Sequence, residues 1–152
     1  MSAPAWLVAT PIAHRGLHNE IRPENSLVAV DEAVQRGFPV EIDVQTSADG
    51  RALVFHDWNL HRLTGFDGRV KLTNSAEIAK LRLAGGSERV PFLEDVLDLV
   101  NGRQPLIVEI KNRKRPGPLE PEVSRILRNY KGLVAVHSFN PFSLGWFRRN
   151  HP

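Results

Sequence analysis

Four short apolar runs, each followed by a segment with helical spacing, constrain the fold of this chain more than any other feature. Strands that are apolar along most of their length are typical of a sheet buried on both faces. Their alternation with helices predicts a parallel α/β sheet. The predicted strands are residues 7–13, 38–44, 105–110 and 133–137.

The helical segments are recognised by the spacing of their apolar residues and by the residues at their ends. Asn25 is a favourable N-cap for the first helix, and Arg36-Gly37 supplies a terminal cation followed by a helix stop. Further helices are predicted over residues 91–100, 120–130 and 141–149. Residues 58–89 are less regular and contain several glycines, and we interpret them as a small insertion after the second strand.

The segment 40–57 predicts a hairpin that concentrates ionisable side chains. Glu41 and Asp43 are two residues apart in an apolar run, so in a strand they lie on the same face. Asp49-Gly50 is a typical two-residue hairpin loop. With that loop, Asp43 is expected directly opposite His56, where Cβ atoms are roughly 5 Å apart.

Ionisable residues also occur at the carboxyl ends of the other predicted strands. In barrels and open α/β sheets, ligand sites lie at this edge of the sheet. We therefore expect these side chains to form one site. The candidates are His14, Arg15, Glu41, Asp43, His56, Glu109, Lys111 and His137.

Two interpretations of the three carboxylates are open at this point. They are salt-bridge partners of Lys111 or Arg15, or they hold a hard divalent cation that relieves their mutual repulsion. His14 and His56 are either hydrogen-bonded core histidines or an acid–base pair, and His137 fits both descriptions equally. The cationic side chains are also suited to clamping a phosphate.

Composition limits the class of protein. The 152 residues suit one domain, and 41% hydrophobic and 24% charged residues are typical of soluble globular proteins. The absence of cysteine excludes disulfides and thiolate metal sites. No stretch approaches the ~20 apolar residues of a membrane span, and the first residues lack the features of a signal peptide. We predict a single domain over residues 1–152 and a cytoplasmic location.

The net charge of +3 is unevenly distributed along the chain. Residues 1–76 contain 7 Lys and Arg against 9 Asp and Glu, a balance of −2, and residues 77–152 contain 13 against 8, a balance of +5. The sharpest basic run comprises Lys111, Arg113, Lys114 and Arg115. It is either a solvated loop or a surface that attracts an anionic substrate. No aromatic residues alternate with these charges, so nucleic acid is not predicted as a partner.

Several motifs occur together in an order that resembles one enzyme family. They are IAHRG from Ile12, PENS from Pro23, EIDVQTSADGRALVFHD from Glu41, VPFLEDVL from Val90 and VEIK from Val108, with Ser138-Phe139 beyond them. This set resembles the glycerophosphodiester phosphodiesterases. The resemblance implies a (β/α)8 TIM-type barrel, with residues 58–89 as a small insertion after the second strand.

The resemblance also implies roles for individual residues. It assigns a divalent cation, Mg²⁺ or Ca²⁺, to Glu41, Asp43 and Glu109. It implies that His14 and His56 are the general base and acid. Arg15 and Lys111 are implied to contact the phosphate. The implied reaction cleaves a glycerophosphodiester to glycerol 3-phosphate and an alcohol. A neighbouring glycerol hydroxyl attacks phosphorus first and releases the alcohol, and water then opens the resulting cyclic phosphate.

The chain departs from the family pattern chiefly in length. Ser26 and Leu63 replace residues common in the family at positions with no proposed ligand role. A TIM barrel needs eight strands and roughly 250 residues, whereas only about the first four βα units are predicted here. We expect either a C-terminally truncated domain or half-barrels that self-associate. Lysophospholipase D or sphingomyelinase-like activity, and a non-catalytic half-barrel, stay open as alternatives.

Overall fold

The computed structural model describes residues 4–151, and one five-stranded sheet forms its centre. Four strands are parallel in the order β1-β2-β4-β5, and β3 runs antiparallel to β2. The predicted parallel α/β sheet is therefore confirmed. The strands are β1 (Ala13–His14), β2 (Val40–Thr46), β3 (Ala52–Val54), β4 (Leu106–Ile110) and β5 (Val134–His137).

Helices follow the parallel strands and cover the apolar side chains of the sheet. Val40, Ile42 and Val44 of β2 have no exposed surface and belong to the main core. No described helix is long and apolar enough to cross a bilayer. The helices are α1 (Trp6–Ala9), α2 (Leu27–Gln35), α3 (His61–Thr64), α4 (Ser75–Ile78), α5 (Leu93–Val100), α6 (Leu119–Leu127) and α7 (Pro141–Asn150), with 3-10 turns at Val70–Leu72 and Leu83–Gly85.

The first predicted strand is wrong over most of its length. Helix α1 occupies its beginning, and pairing with β2 is confined to Ala13 and His14. The ladder starts where the Ala13 amide donates to the Pro39 carbonyl at 2.8 Å. Pro11 lacks the amide hydrogen that a longer ladder needs, and Val8 is 81% exposed. Apolar character alone therefore did not make this run a core strand.

The predicted hairpin exists, but its register is shifted by one residue. The Ser47 amide donates to the Arg51 carbonyl at 3.0 Å, so the loop has three residues, 48–50. Gly50 adopts a left-handed φ of +84°, as three-residue hairpin loops require. Asp43 consequently faces Phe55, whose amide donates to the Asp43 carbonyl at 2.9 Å. The predicted Asp43–His56 pair is wrong, because a one-residue shift moves a side chain to the other face.

Segment 58–89 has a small core of its own. Its buried residues Leu60, Val70, Ile78 and Leu83 pack with Leu53 of β3 and with two neighbouring buried residues, Phe55 and Val90. The segment is tied to the hairpin loop, where the Asp49 carboxylate accepts hydrogen bonds from the amide and hydroxyl of Ser75 at 2.7 and 2.6 Å. These contacts hold segment 58–89 over the carboxyl end of β2.

Candidate active site

Strands β2 and β4 bring three carboxylates together. Glu41 and Asp43 share a face of β2, and the parallel register places Glu109 beside Asp43. One oxygen from each carboxylate lies within 4.8 Å of the others. All three residues are buried, with exposed fractions of 8%, 1% and 8% in chain order. We call this set the carboxylate cluster.

Burial and repulsion act strongly on Glu41. Its pKa is raised to about 7, first by burial and next by the negative charge of Asp43, with Glu109 adding to the effect. Its Oε2 accepts a hydrogen bond from the Arg15 amide at 3.0 Å. Its Oε1 is buried and has no hydrogen-bond donor among residues 4–151. A buried acceptor among clustered carboxylates fits a hard divalent cation, which prefers oxygen ligands.

Two cationic side chains reach into the carboxylate cluster. Lys111 Nζ lies 3.4 Å from Asp43 Oδ1 and 3.2 Å from Glu109 Oε1. Arg15 Nε lies 3.3 Å from Asp43 Oδ2, while Arg15 Nη1 donates to Glu24 at 3.0 Å. The salt-bridge interpretation thus has a geometric basis. However, if all three carboxylates are ionised, two cations leave one negative charge, and Glu24 shares one of the cations.

His14 lies at the edge of the carboxylate cluster, whereas His56 belongs to a separate group with Glu24 and Asp57. His14 Nε2 lies 4.0 Å from Glu41 Oε2, and its side chain is 66% exposed. Partial burial and then the charge of Arg15 lower the pKa of His14. His56 Nδ1 lies 2.7 Å from Asp57 Oδ1, and its side chain is 29% exposed. With Nδ1 engaged, Nε2 is the nitrogen left for proton transfer.

His137 lies at the opposite side of Glu109. Its Nδ1 is 3.8 Å from Glu109 Oε2, and its side chain is 48% exposed. The ring packs edge-on against Phe139, with the centroids 5.1 Å apart. The structure therefore places His137 at the rim of the carboxylate cluster, without a direct ligand position.

Asn25 has a role that its sequence position did not reveal. It is not the N-cap, because Ser26 Oγ accepts the capping hydrogen bond from the Ala29 amide at 3.2 Å. Asn25 instead has a φ of +58° and is 1% exposed. Its Nδ2 donates to Asp43 Oδ2 at 2.9 Å, and its Oδ1 accepts from the Asp43 amide at 3.2 Å. It therefore fixes the orientation of a clustered carboxylate.

A network of charged side chains connects the histidine His56 to Arg15 through segment 58–89. Arg62 forms paired hydrogen bonds with Asp57, which also contacts His56, and with Glu24, which also contacts Arg15. Burial acts to raise the pKa of Glu24, but hydrogen bonds from Arg62 contribute most to lowering it. Hydrogen bonds from Arg62 are also the main cause of the lowered pKa of Asp57. Sequence reasoning did not single out Arg62, Glu24 or Asp57. The only local signal was the placement of Asp57 directly after His56.

Gln45 holds the chain in place as it leaves β3. Its Nε2 lies 2.8, 3.0 and 2.7 Å from the carbonyl oxygens of Phe55, His56 and Asp57. Gln45 is itself buried, with 2% of its surface exposed. His56 therefore reaches the site through the backbone after β3, not through the predicted cross-strand pair.

Comparison with protein families decides the relationship of this chain to known proteins. The model of the glycerophosphoryl diester phosphodiesterase family matches residues 14–144, which include every residue discussed above for the site. The chain belongs to this family. The expected (β/α)8 barrel type is confirmed for the part of the barrel that this chain contains. The described residues form an open sheet with four parallel strands.

Relatives and solved structures agree with the family assignment. A glycerophosphodiester phosphodiesterase of Caldanaerobacter subterraneus is 36% identical over 146 residues, which are 88% of this chain and 59% of the relative. One from Bacillus altitudinis is 33% identical over 153 residues, covering 92% and 62% of the two chains. An Oleispira antarctica phosphodiesterase, solved with the product sn-glycerol-3-phosphate, superposes with a TM-score of 0.85 at 30% identity.

The chain is shorter than these members of the phosphodiesterase family. The superposition on the Oleispira antarctica structure covers 97% of this chain but 65% of that one. The chain thus spans about 60% of the length of the curated relatives that it matches.

Proposed function

We propose that this chain carries the metal-binding and acid–base residues of a hydrolase that converts glycerophosphodiesters to glycerol 3-phosphate and an alcohol. The observation that carries this proposal is the convergence of Glu41, Asp43 and Glu109 next to His14 and two phosphate-binding candidates. Family membership supports the reaction class.

The protein residues have distinct roles in this proposal. The lowered pKa of His14 keeps its imidazole neutral at physiological pH, so it acts as the general base that accepts a proton from the attacking hydroxyl. His56, oriented by Asp57, acts as the general acid and protonates the alkoxide when its bond to phosphorus breaks. Arg15 and Lys111 bind the phosphate oxygens and stabilise the charge that develops on them.

The proposed cation ligands are Glu41, Asp43 and Glu109. Their buried oxygens, including the unpartnered Glu41 Oε1, fit Mg²⁺ or Ca²⁺, and the choice between the two ions stays open. A bound divalent cation supplies Lewis-acid stabilisation of the phosphoryl charge. Asn25 keeps Asp43 in position for this role through its two hydrogen bonds.

We also propose that residues 1–152 form one domain that is truncated relative to its relatives, with residues 58–89 as an insertion within it. The small core of segment 58–89 and its contacts with the β2–β3 hairpin support this division. The cytoplasmic location stays a prediction. No contact in the described residues favours a lysophospholipase D, a sphingomyelinase-like enzyme or a non-catalytic half-barrel.

The test measures release of glycerol 3-phosphate from glycerophosphocholine by the purified chain, with Mg²⁺, with Ca²⁺ and with EDTA. We expect EDTA to abolish the activity. We expect His14→Ala and His56→Ala to reduce kcat by roughly 10²–10⁴-fold, the contribution of general acid–base catalysis. His61→Ala is the matched control, because His61 is an exposed histidine in α3 and should leave kcat unchanged.

Activity that survives EDTA and both histidine variants contradicts the mechanism. A chain that binds Ca²⁺ through the carboxylate cluster but releases no product, with either metal, contradicts catalysis by this chain and supports the half-barrel alternative. Calcium binding is measured separately by calorimetry, with Glu41→Gln and Glu109→Gln as variants that should lose it.

A further inference from the structure

A second concave surface lies beside the carboxylate cluster, between segment 58–89 and the loop that joins β4 to α6. It has a volume of about 630 Å³. We call it the basic groove, because its walls contain six cationic side chains, namely Arg69, Lys71, Lys111, Arg113, Lys114 and Arg115.

Most of the positive charge of the basic groove is not paired with carboxylates. Except for Lys111, none of its six cations lies within 4.0 Å of a carboxylate oxygen in residues 4–151. Glu120 also lines the groove, but it is fully buried and accepts hydrogen bonds from Asn112, Gly117 and Ser143. A concave surface with uncompensated charge of one sign attracts a ligand of the opposite sign.

The backbone of the loop that carries Arg113, Lys114 and Arg115 is held in place before a ligand arrives. Asn112 Nδ2 donates to Glu120 at 2.7 Å, and Asn112 Oδ1 accepts from the Lys114 amide at 2.9 Å. Asn140 Nδ2 donates to the Lys114 carbonyl at 2.6 Å. The Arg113 guanidinium lies 4.9 Å from the centroid of the Trp58 ring, a cation–π contact. Such preorganisation reduces the entropy lost on binding.

The basic groove adjoins a second cavity that reaches the carboxylate cluster. A neighbouring cavity of about 470 Å³ has Glu109 of the carboxylate cluster in its wall. The cavity and the groove share four wall residues, Trp58, Lys111, Asn112 and Arg113. The basic groove and the cavity that contains Glu109 are therefore direct neighbours.

We propose that the basic groove binds a second phosphate group, carried by the alcohol portion of a glycerophosphodiester substrate. This inference rests on the proposed function, which places the first phosphate at Arg15 and Lys111. Guanidinium groups bind phosphate oxygens in pairs and lysines add point charges, and the groove contains both types. Its concave shape fits a small polyanion better than it fits a flat lipid surface.

The test compares two ligands that differ by one phosphate, glycerophosphoinositol 4-phosphate and glycerophosphoinositol. Their affinities for the purified chain are measured by calorimetry in EDTA, so that the ligands are not hydrolysed during the measurement. We expect the 4-phosphate to bind roughly tenfold more tightly, as one added charge-assisted contact provides. The double variant Lys71→Glu, Arg115→Glu should lose this preference. The control Lys80→Glu, Lys131→Glu has the same change in net charge at exposed positions outside the groove and should keep it.

Equal affinities for the two ligands, or the same loss of preference in both double variants, overturn the proposal. A third result also overturns it: the groove variant loses binding to vesicles containing phosphatidylglycerol, while the two soluble ligands bind alike. That result assigns the groove to a membrane surface. Hydrolysis of glycerophosphocholine is measured in parallel. Failure of that reaction contradicts the proposed function, whereas failure of the ligand preference contradicts only the role of the basic groove.

Discussion

Glu41 is the residue at which burial and charge conflict most directly. Its backbone position follows from the apolar run around it, while its carboxylate lies among two others. The ordinary response of a buried carboxyl without a partner is to take up a proton. The pKa of Glu41 is accordingly raised to about 7, first by burial and next by the charge of Asp43.

The raised pKa of Glu41 predicts how stability depends on pH without divalent cations. Between its unfolded value near 4.5 and its folded value near 7, the folded chain binds more protons than the unfolded chain. The contribution of Glu41 to stability is therefore fully present below pH 4.5 and is lost as the pH rises through 7, by roughly 3 kcal/mol. Urea unfolding in EDTA at pH 5 and pH 8 measures this loss.

Glu41→Gln should reduce that difference between pH 5 and pH 8, because glutamine does not titrate. Glu20→Gln replaces an exposed glutamate and is the control, which should retain the wild-type slope. An equal difference in stability between pH 5 and pH 8 in the wild type and both variants contradicts the assignment of this pH dependence to Glu41.

Arg62 predicts a long-range effect of segment 58–89 on the site. Arg62→Gln removes the paired hydrogen bonds to Asp57 and Glu24, so the pKa of Asp57 should rise towards its ordinary value. Carbon NMR titration of the Asp57 carboxyl measures this change. In the active protein we expect kcat to fall by roughly tenfold or more with a smaller change in KM, because His56 loses its positioned partner.

Arg89→Gln serves as the comparison for Arg62, since Arg89 is exposed in the same segment. An unchanged pKa of Asp57 in Arg62→Gln shows that the network does not position the acid. A parallel fall in kcat for both variants points to a general loss of folding instead.

At the scale of elements, the turn after β1 joins the first strand to helix α2. Gly16 has a φ of +77° and packs against the backbone of Ala29, whose carbonyl accepts a hydrogen bond from the Leu17 amide at 2.8 Å. A Cβ atom at Gly16 would lie 2.6 Å from the Ala29 carbonyl carbon. This close approach positions His14 and Arg15 over the start of α2.

Two glycine variants separate backbone conformation from steric fit. Gly37 has a similar φ of +79°, but a Cβ there meets nothing within 4 Å. Gly37→Ala should cost about 1–2 kcal/mol of unfolding free energy, the cost of a left-handed conformation with a side chain. Gly16→Ala should cost clearly more, because backbone atoms of α2 must move. Equal losses in chemical denaturation contradict the packing argument.

At the scale of the whole molecule, β5 is an edge strand of the sheet that residues 4–151 form. Val134 and Val136 are only partly buried, and Phe142 and Leu144 of α7 are exposed. Unpaired strand edges and contiguous apolar surface favour association with another chain.

We expect the purified 152-residue chain to self-associate through the β5 edge of the sheet. Light scattering after size-exclusion chromatography should give a mass above that of one chain, and Phe142→Glu with Leu144→Glu should shift it to the monomer mass. Leu72→Glu, at an exposed leucine of segment 58–89, should leave the mass unchanged. A compact wild-type monomer contradicts this expectation.

Sequence reasoning predicted most of the architecture and the three carboxylates that the structure brings together. Strand–helix alternation and the shared face of Glu41 and Asp43 are local patterns that periodicity reveals. It failed where local and long-range preferences differ. Residues 7–9 are apolar but pair with no strand among the described residues. The hairpin has a three-residue loop, in which Asp49 accepts hydrogen bonds from Ser75.

The residues alone determined which chemical groups stand at the strand ends, because strand pleat and apolar spacing depend only on neighbours in sequence. The tertiary structure alone decided which groups meet. Glu109 joins Asp43 because β4 is the neighbour of β2, and Asn25 contacts Asp43 because α2 begins beside that strand. Arg62 reaches Glu24 across 38 positions because segment 58–89 folds back on the sheet. Such contacts depend on strand order and packing, which short-range patterns do not specify.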